Sequence, residues 1–339
     1  MSYREPTFVI AEAGVNHNGS LELALRLVES ARECGADAVK FQTFRAESLV
    51  TQHAVKAAYQ QRNVKGSRSQ LEMLRALELS ESEFEVIRRH CERCGIEFLS
   101  SAFDERSVHF LDALGMRCFK VPSGEVTNLP LLESIGAMGK PVLLSTGMCW
   151  LGEVEMALRV LEEAGAGAVT LLHCVTEYPA PHDQVNLAAM ATLHEAFGRR
   201  VGYSDHTDGI EIPVAAVAMG ACVLEKHFTL DTSMAGPDHL ASLAPDAFRH
   251  MVETVRRVEL AMGDGQKRPA PCELANRKVV RRSIAARGAI AAGEPITRDA
   301  LVLKRPGDGL PPECLALVEG RRARRDIQAD ELLDWQDLS

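Results

Sequence analysis

No stretch of this sequence approaches the ~18 consecutive apolar residues that would suggest a membrane-spanning helix, so no membrane partner is expected. Positive charge is also short: 38 Lys and Arg stand against 47 Asp and Glu, a formal net charge of −9. The basic residues are dispersed, and the one cluster, Arg321-Arg322-Ala323-Arg324-Arg325, has no aromatic residues interleaved. Surfaces that track nucleic-acid phosphates are strongly basic, so no nucleic-acid partner is expected either. An acidic protein that handles an anionic substrate must concentrate its Lys, Arg and any metal ion locally.

A disulfide framework is missing as well. The nine cysteines are an odd number, scattered through expected strands and helices, which fits reduced thiols. Cys91 and Cys94 make a C-x-x-C spacing inside an expected helix, with no second pair to complete a metal site. The opening Met1-Ser-Tyr-Arg-Glu-Pro leads into a strand-like run rather than a secretory signal, and the expected location is cytoplasmic.

What is present is an alternating pattern. Apolar runs begin at Phe8, Ala38, Glu97, Cys118, Pro141, Val169, Val201 and Val223. Amphipathic stretches such as 21–32, 82–93, 151–163 and 213–219 lie between them. Eight strands alternating with helices predict an α/β fold, a (β/α)₈ TIM barrel over residues 1–265. An open doubly wound sheet satisfies the same alternation. The closed barrel is favoured because the runs end in reactive side chains: Glu12, Lys40 with Gln42, Ser101, Ser123 with Glu125, Ser145, His173, Asp205 with His206, and His227. A barrel brings all those ends to one mouth. Residues 266–278 read as a linker, and 279–339 as a small β-rich module, which at that size needs something to dock on.

His206 and His227 end adjacent strands and suit a divalent first-row ion; two hydrogen-bonded core histidines would look the same. With only two protein ligands such an ion keeps positions open for substrate. Asp205 or Glu225 is placed to orient an imidazole, although neighbours on a strand point to opposite faces. Lys40, Lys120, Ser101, Ser123, Ser145 and Ser204, with Gly124 and Gly147 close by, form an expected anion cradle. Glu12 and Glu125 are carboxylates in apolar contexts, suited to acid–base work or to a salt bridge with Lys40 or Lys120. Lys120 and Lys40 also suit a Schiff base with a keto acid. His173 reads as a structural pore-lining group. Tyr178, on a Pro-rich loop, suits stacking on a sugar ring, and Asp238 suits accepting a hydroxyl.

These segments resemble a known family. Phe8-Val-Ile-Ala-Glu-Ala-Gly-Val-Asn-His-Asn-Gly, Val39-Lys-Phe-Gln-Thr-Phe, Lys120-Val-Pro-Ser-Gly-Glu, Leu144-Ser-Thr-Gly-Met, Leu172-His-Cys-Val-Thr-Glu-Tyr-Pro, Gly202-Tyr-Ser-Asp-His-Thr, Glu225-Lys-His-Phe-Thr and Gly236-Pro-Asp-His look like the nonulosonate synthases, which make sialic, legionaminic and pseudaminic acids. The resemblance extends over nearly the whole chain, its last part being similar to their antifreeze-like (SAF) domain.

The resemblance implies a transferase that condenses phosphoenolpyruvate with an N-acylated mannosamine-type sugar and releases phosphate by C–O cleavage. It implies a domain-swapped homodimer and a divalent metal, Mn²⁺ or else Mg²⁺ or Co²⁺, held by His206 and His227. By motif, Lys120, Ser101, Ser123, Ser145 and Ser204 match contacts to phosphoenolpyruvate, and Lys40 and Gln42 match positions lining the site. Glu12, Tyr178 and Asp238 match positions around the sugar, Glu125 the acid–base group, and Arg305 an arginine reaching a partner's sugar. Thr176 stands where some sialic acid synthases have Asn, as a further phosphate contact, and Phe41 where they have His. The first expectation is an N-acetylneuraminate synthase using N-acetylmannosamine. The alternative, suggested by Thr176-Glu-Tyr-Pro and Gly209-Ile-Glu-Ile-Pro, is an N,N'-diacetyllegionaminate synthase using 2,4-diacetamido-2,4,6-trideoxymannose. Remoter readings are a Schiff-base pyruvate aldolase and a catalytically silent sugar-binding protein.

Overall fold

Each of the eight apolar runs becomes a strand of one sheet: β1 (Phe8–Gly14), β2 (Ala38–Thr43), β3 (Glu97–Ala102), β4 (Phe119–Val121), β5 (Val142–Ser145), β6 (Val169–His173), β7 (Val201–Asp205) and β8 (Val223–His227). All neighbours are parallel and β8 returns to β1, so the sheet closes into a barrel and leaves no edge. The strands are almost wholly buried because the lumen fills one face and helices cover the other. This computed structural model describes residues 5–63 and 69–339.

Local sequence sets the helices. Ser20 accepts the Leu23 N–H and starts Leu21–Glu33, whose Ala24, Leu27, Val28 and Ala31 repeat at helical spacing and are buried. Ser80 and Glu83 form a reciprocal capping box at the start of Glu81–Cys94. That helix buries Cys91 beside Phe84 and Ile87, so the C-x-x-C spacing is a packing face, and burial pushes the Cys91 thiol up to about 12. All nine cysteines are free. In β7, a Cβ on Gly202 would lie 2.5 Å from the Val223 carbonyl oxygen, so only glycine lets β8 approach there.

The chain divides into two units, Met1–Asp264 and Gly265–Ser339. The second begins with a segment carrying a short helix, Leu274–Val280, and then pairs β9 (Ser283–Ala286) with β10 (Leu301–Lys304) antiparallel. Its own core includes Ile284, Ile290, Ile296, Val318, Ile327 and Leu333. No helix among the described residues is long and apolar enough to cross a membrane.

Candidate active site

The barrel lumen is charged where its strands end. Glu12 on β1 and Lys40 on β2 are register partners, and Lys40 Nζ lies 2.7 Å from Glu12 Oε2. Gln42, two residues on, donates to Glu12 Oε1 at 3.2 Å, and Lys40 also donates to Ser101 Oγ at 3.3 Å. Across the lumen Glu225 on β8 faces Lys120 at 3.4 Å and Lys40 at 3.8 Å, and accepts the Ser204 hydroxyl at 2.9 Å. Two ammonium groups and two carboxylates are thus sealed together.

Burial and neighbours act on these groups in opposite senses. Burial raises the Glu12 carboxyl above its ordinary range against the pull of Lys40. Burial also opposes charge on Lys40, yet Glu12 and Glu225 outweigh it and hold the ammonium above its usual value. Lys120 goes the other way: burial lowers it, with Glu225 only partly compensating. Glu225 is buried too, but Lys120 and Lys40 hold its carboxyl down at about 2. The cluster therefore keeps Glu225 ionised and Lys120 sensitive to any further anion that enters.

Beside it lies a cradle of small polar groups. Ser123 Oγ accepts the Gly147 N–H at 2.9 Å and sits 3.1 Å from Cys174 Sγ. A Cβ on Gly147 would lie 2.5 Å from Thr176 Oγ1 and 2.9 Å from both Ser123 Oγ and Cys174 Sγ. Three loops thus converge on a space that a methyl group would fill. Among the described residues, the buried Ser145 and Thr176 hydroxyls find no hydrogen-bond partner. Buried hydroxyls left in that state are costly, and each has a proton to donate to an incoming anion.

The third part is aromatic. His206 and His227 lie with ring centroids 5.4 Å apart, and Tyr178 packs 4.2 Å from His206 and 5.6 Å from His227. His206 donates through Nδ1 to the Val175 carbonyl at 2.5 Å, which leaves the Nε2 lone pair available. Burial lowers both imidazoles, His227 well below its ordinary value with His206 adding to the effect, so both are neutral at pH 7 and able to act as ligands. His227 Nδ1 is a buried nitrogen without a partner among the described residues. Among the described residues no group of three or more His, Cys, Asp or Glu side chains is arranged to hold a metal. The donor set fits an ion held by two imidazoles, with its other positions left to water and substrate.

Asp238 is buried in the loop after β8, where burial, reinforced by the nearby Glu12 carboxylate, pushes its carboxyl up to about 7. Its loop is tied down by Ser242, whose hydroxyl donates to the Asp238 carbonyl at 2.7 Å, and by Asn16, which donates to Ser242 Oγ at 2.9 Å.

The structure thus brings together Glu12, Lys40, Gln42, Ser101, Lys120 and Ser204 in one cluster. Ser123 and Thr176 meet in the second, His206, His227 and Tyr178 in the third, and Ser145 ends β5 with a buried hydroxyl. Glu125 stands in a half-buried turn after β4 and accepts Asn128 Nδ2 at 2.6 Å. Arg305 is exposed in the second unit, just past β10. His173 is buried and bonds the Val185 carbonyl at 2.7 Å, a structural role. Two residues were placed differently by sequence reasoning. Glu225 faces the lysines instead of orienting an imidazole, and Asp205 turns to Lys226 on the opposite face of the sheet, as the alternation of strand neighbours allows. Cys174 went unnoticed, although it directly follows the β6 end, where such residues collect. Two surface clefts lie at the opposite end of the barrel, around Phe8, Asp37 and Arg117 and around Glu33, Arg249 and Arg256, and hold none of these groups.

Residues 27–267 match the NeuB family and residues 281–339 the SAF domain. The chain is 47% identical to the N,N'-diacetyllegionaminic acid synthase of Legionella pneumophila over 98% of this chain and 94% of that one. It is 48% identical to the N,N'-diacetyllegionaminic acid synthase of Campylobacter jejuni, over 96% of this chain and 98% of that one. Among solved structures, the N-acetylneuraminic acid (sialic acid) synthetase of Leptospira borgpetersenii is 32% identical with a TM-score of 0.71, covering 80% of this chain and 90% of that one.

Proposed function

The chain belongs to the NeuB family, and from that premise we propose that it condenses phosphoenolpyruvate with 2,4-diacetamido-2,4,6-trideoxymannose to give N,N'-diacetyllegionaminic acid and phosphate. The observation that carries the choice of sugar is the higher identity to the two legionaminic acid synthases than to the sialic acid synthetase. N-acetylmannosamine, the sugar expected first from the sequence, becomes the second reading.

The geometry supports the chemistry. Lys40 and Lys120 supply local positive charge in an acidic protein, and the hydroxyls of Ser101, Ser123, Ser145 and Thr176 are available to donate to the phosphate and carboxylate of phosphoenolpyruvate, while Ser204 donates to Glu225 and would have to turn from it to reach substrate. Glu12, Gln42, Tyr178 and Asp238 orient the sugar, and Glu125 exchanges a proton at the reacting carbonyl oxygen. His206 and His227 would hold Mn²⁺, or Mg²⁺ or Co²⁺, which when bound polarises the aldehyde of the open-chain sugar. The methylene carbon of phosphoenolpyruvate bonds to the aldehyde carbon, water adds at the carbon bearing the phosphate ester, and phosphate leaves as that C–O bond breaks. Excluding bulk water from the sealed cluster keeps the charges effective at the reacting atoms. In a domain-swapped homodimer, Arg305 of one copy would serve the acyl group of the sugar bound by the other.

The test is phosphate release from phosphoenolpyruvate with Mn²⁺, run with each sugar in parallel. Preference for the diacetamido sugar supports the proposal. Preference for N-acetylmannosamine replaces it with the sialic acid reading, and release with neither rejects both.

A further inference from the structure

On the outer face of β7 and β8, the strands that lead into His206 and end in His227, lies a sealed ion pair that touches none of the reacting groups described above. Asp205 directly precedes His206, Lys226 directly precedes His227, and Asp205 and Lys226 are register partners across β7 and β8. Successive side chains of a strand point to opposite faces. The histidines therefore face the lumen while the pair faces the helical layer.

Lys226 Nζ lies 2.5 Å from Asp205 Oδ2, with both side chains 0% exposed. The same carboxylate accepts the Tyr203 hydroxyl at 2.8 Å, the Thr207 hydroxyl at 2.9 and 3.0 Å, and the Thr207 N–H at 3.2 Å. Lys226 also donates to the Thr207 carbonyl. Every bond of this network ends on residue 203, 205, 207 or 226. His206 sits in the middle of that stretch, its carbonyl accepting the Ala180 N–H at 2.8 Å.

Two charges removed from water cost several kcal/mol per ion, and an apolar pair of similar volume would hold two strands together at least as well. Stability alone does not account for the arrangement. What an ion pair adds over an apolar pair is direction: it fixes the register and the backbone on either side of His206 relative to His227.

We propose that the Asp205–Lys226 pair, with Thr207, is a positioning device that sets the spacing and orientation of the two imidazoles and thereby the affinity of the site for a divalent cation. The inference rests on the metal reading proposed above.

Direct Mn²⁺ binding to the full chain without substrates, followed by the loss of the free-ion EPR signal, tests it. The double variant Asp205→Asn/Lys226→Met removes both charges together and leaves none buried unpaired. It is expected to bind Mn²⁺ at least about tenfold more weakly, the scale of other outer-layer ligand supports, while its KM for phosphoenolpyruvate changes less than about threefold. Thr207→Val keeps the shape and removes one donor, and should give a smaller loss that Thr207→Ser restores. Should the double variant not fold, the Thr207 pair decides by the same readout. Variants that bind Mn²⁺ as tightly as the wild type overturn the positioning role and leave the metal reading standing. A wild type that binds no Mn²⁺ overturns the metal reading itself, and the inference with it.

Discussion

Lys120 on β4 and Glu225 on β8, on opposite sides of the eight-stranded barrel, meet across the lumen with Nζ 3.4 Å from Oε1. One carboxylate also reaches Lys40 at 3.8 Å and takes the Ser204 hydroxyl at 2.9 Å, so it touches groups from β2, β4 and β7 at once. At Lys120 burial wins and lowers the ammonium, with Glu225 the first group that opposes this.

Glu225→Gln keeps the shape and removes the charge that balances two buried ammonium groups. Breaking one side of a buried ion pair costs about 3–5 kcal/mol. Chemical unfolding should therefore show a loss of about that size, while Arg249→Ala, which removes an exposed partner of Asp246, changes nothing measurable. Equal stability of Glu225→Gln and the wild type would mean that the cluster is not the electrostatic unit described.

Gly147→Ala places a methyl group against Thr176 Oγ1, Cys174 Sγ and Ser123 Oγ, at 2.5, 2.9 and 2.9 Å. These three atoms line the space assigned to the phosphate, so the cost falls on ligand binding. The expected result is a rise of at least about tenfold in the KM for phosphoenolpyruvate, with the sugar's KM less affected. Gly152→Ala is the matched control, since nothing lies within 4 Å of its added Cβ. Equal kinetics for the two variants would remove the cradle from the phosphate site.

Much of this site was legible in the sequence because barrel topology turns a one-dimensional pattern into a shared mouth: Glu12, Lys40, Ser101, Lys120 and Ser204 each sit near a strand end, and each falls into the cluster. The periodicity did not tell which carboxylate would face which cation. Glu225 and Asp205 both precede or neighbour a histidine, and only the facing of the strands separates them, one into the lumen and one outward to Lys226. Cys174, although it follows the β6 end, is a different case. A thiol in an apolar run is ordinary core, and its closeness to Ser123 arises from a loop conformation that no local pattern encodes.

Asp238 makes the pH dependence of folding a test of how the sugar side of the site is built. Burial, with Glu12 adding to it, raises its carboxyl to about 7, whereas in the unfolded chain it titrates near 3.8. The folded state therefore holds a proton that the unfolded chain has released. Stability contributed by this group is present below the unfolded value and is lost as pH rises through about 4 to 7, with no further change above. Asp238→Asn carries no such proton, so its stability relative to the wild type should improve by about 2–3 kcal/mol between pH 5 and pH 8, at ~1.4 kcal/mol per unit. Urea unfolding of both proteins at the two pH values measures this. A constant difference between them would show that the carboxyl is ionised throughout, and that the loop holding Asp238 opens to water in solution.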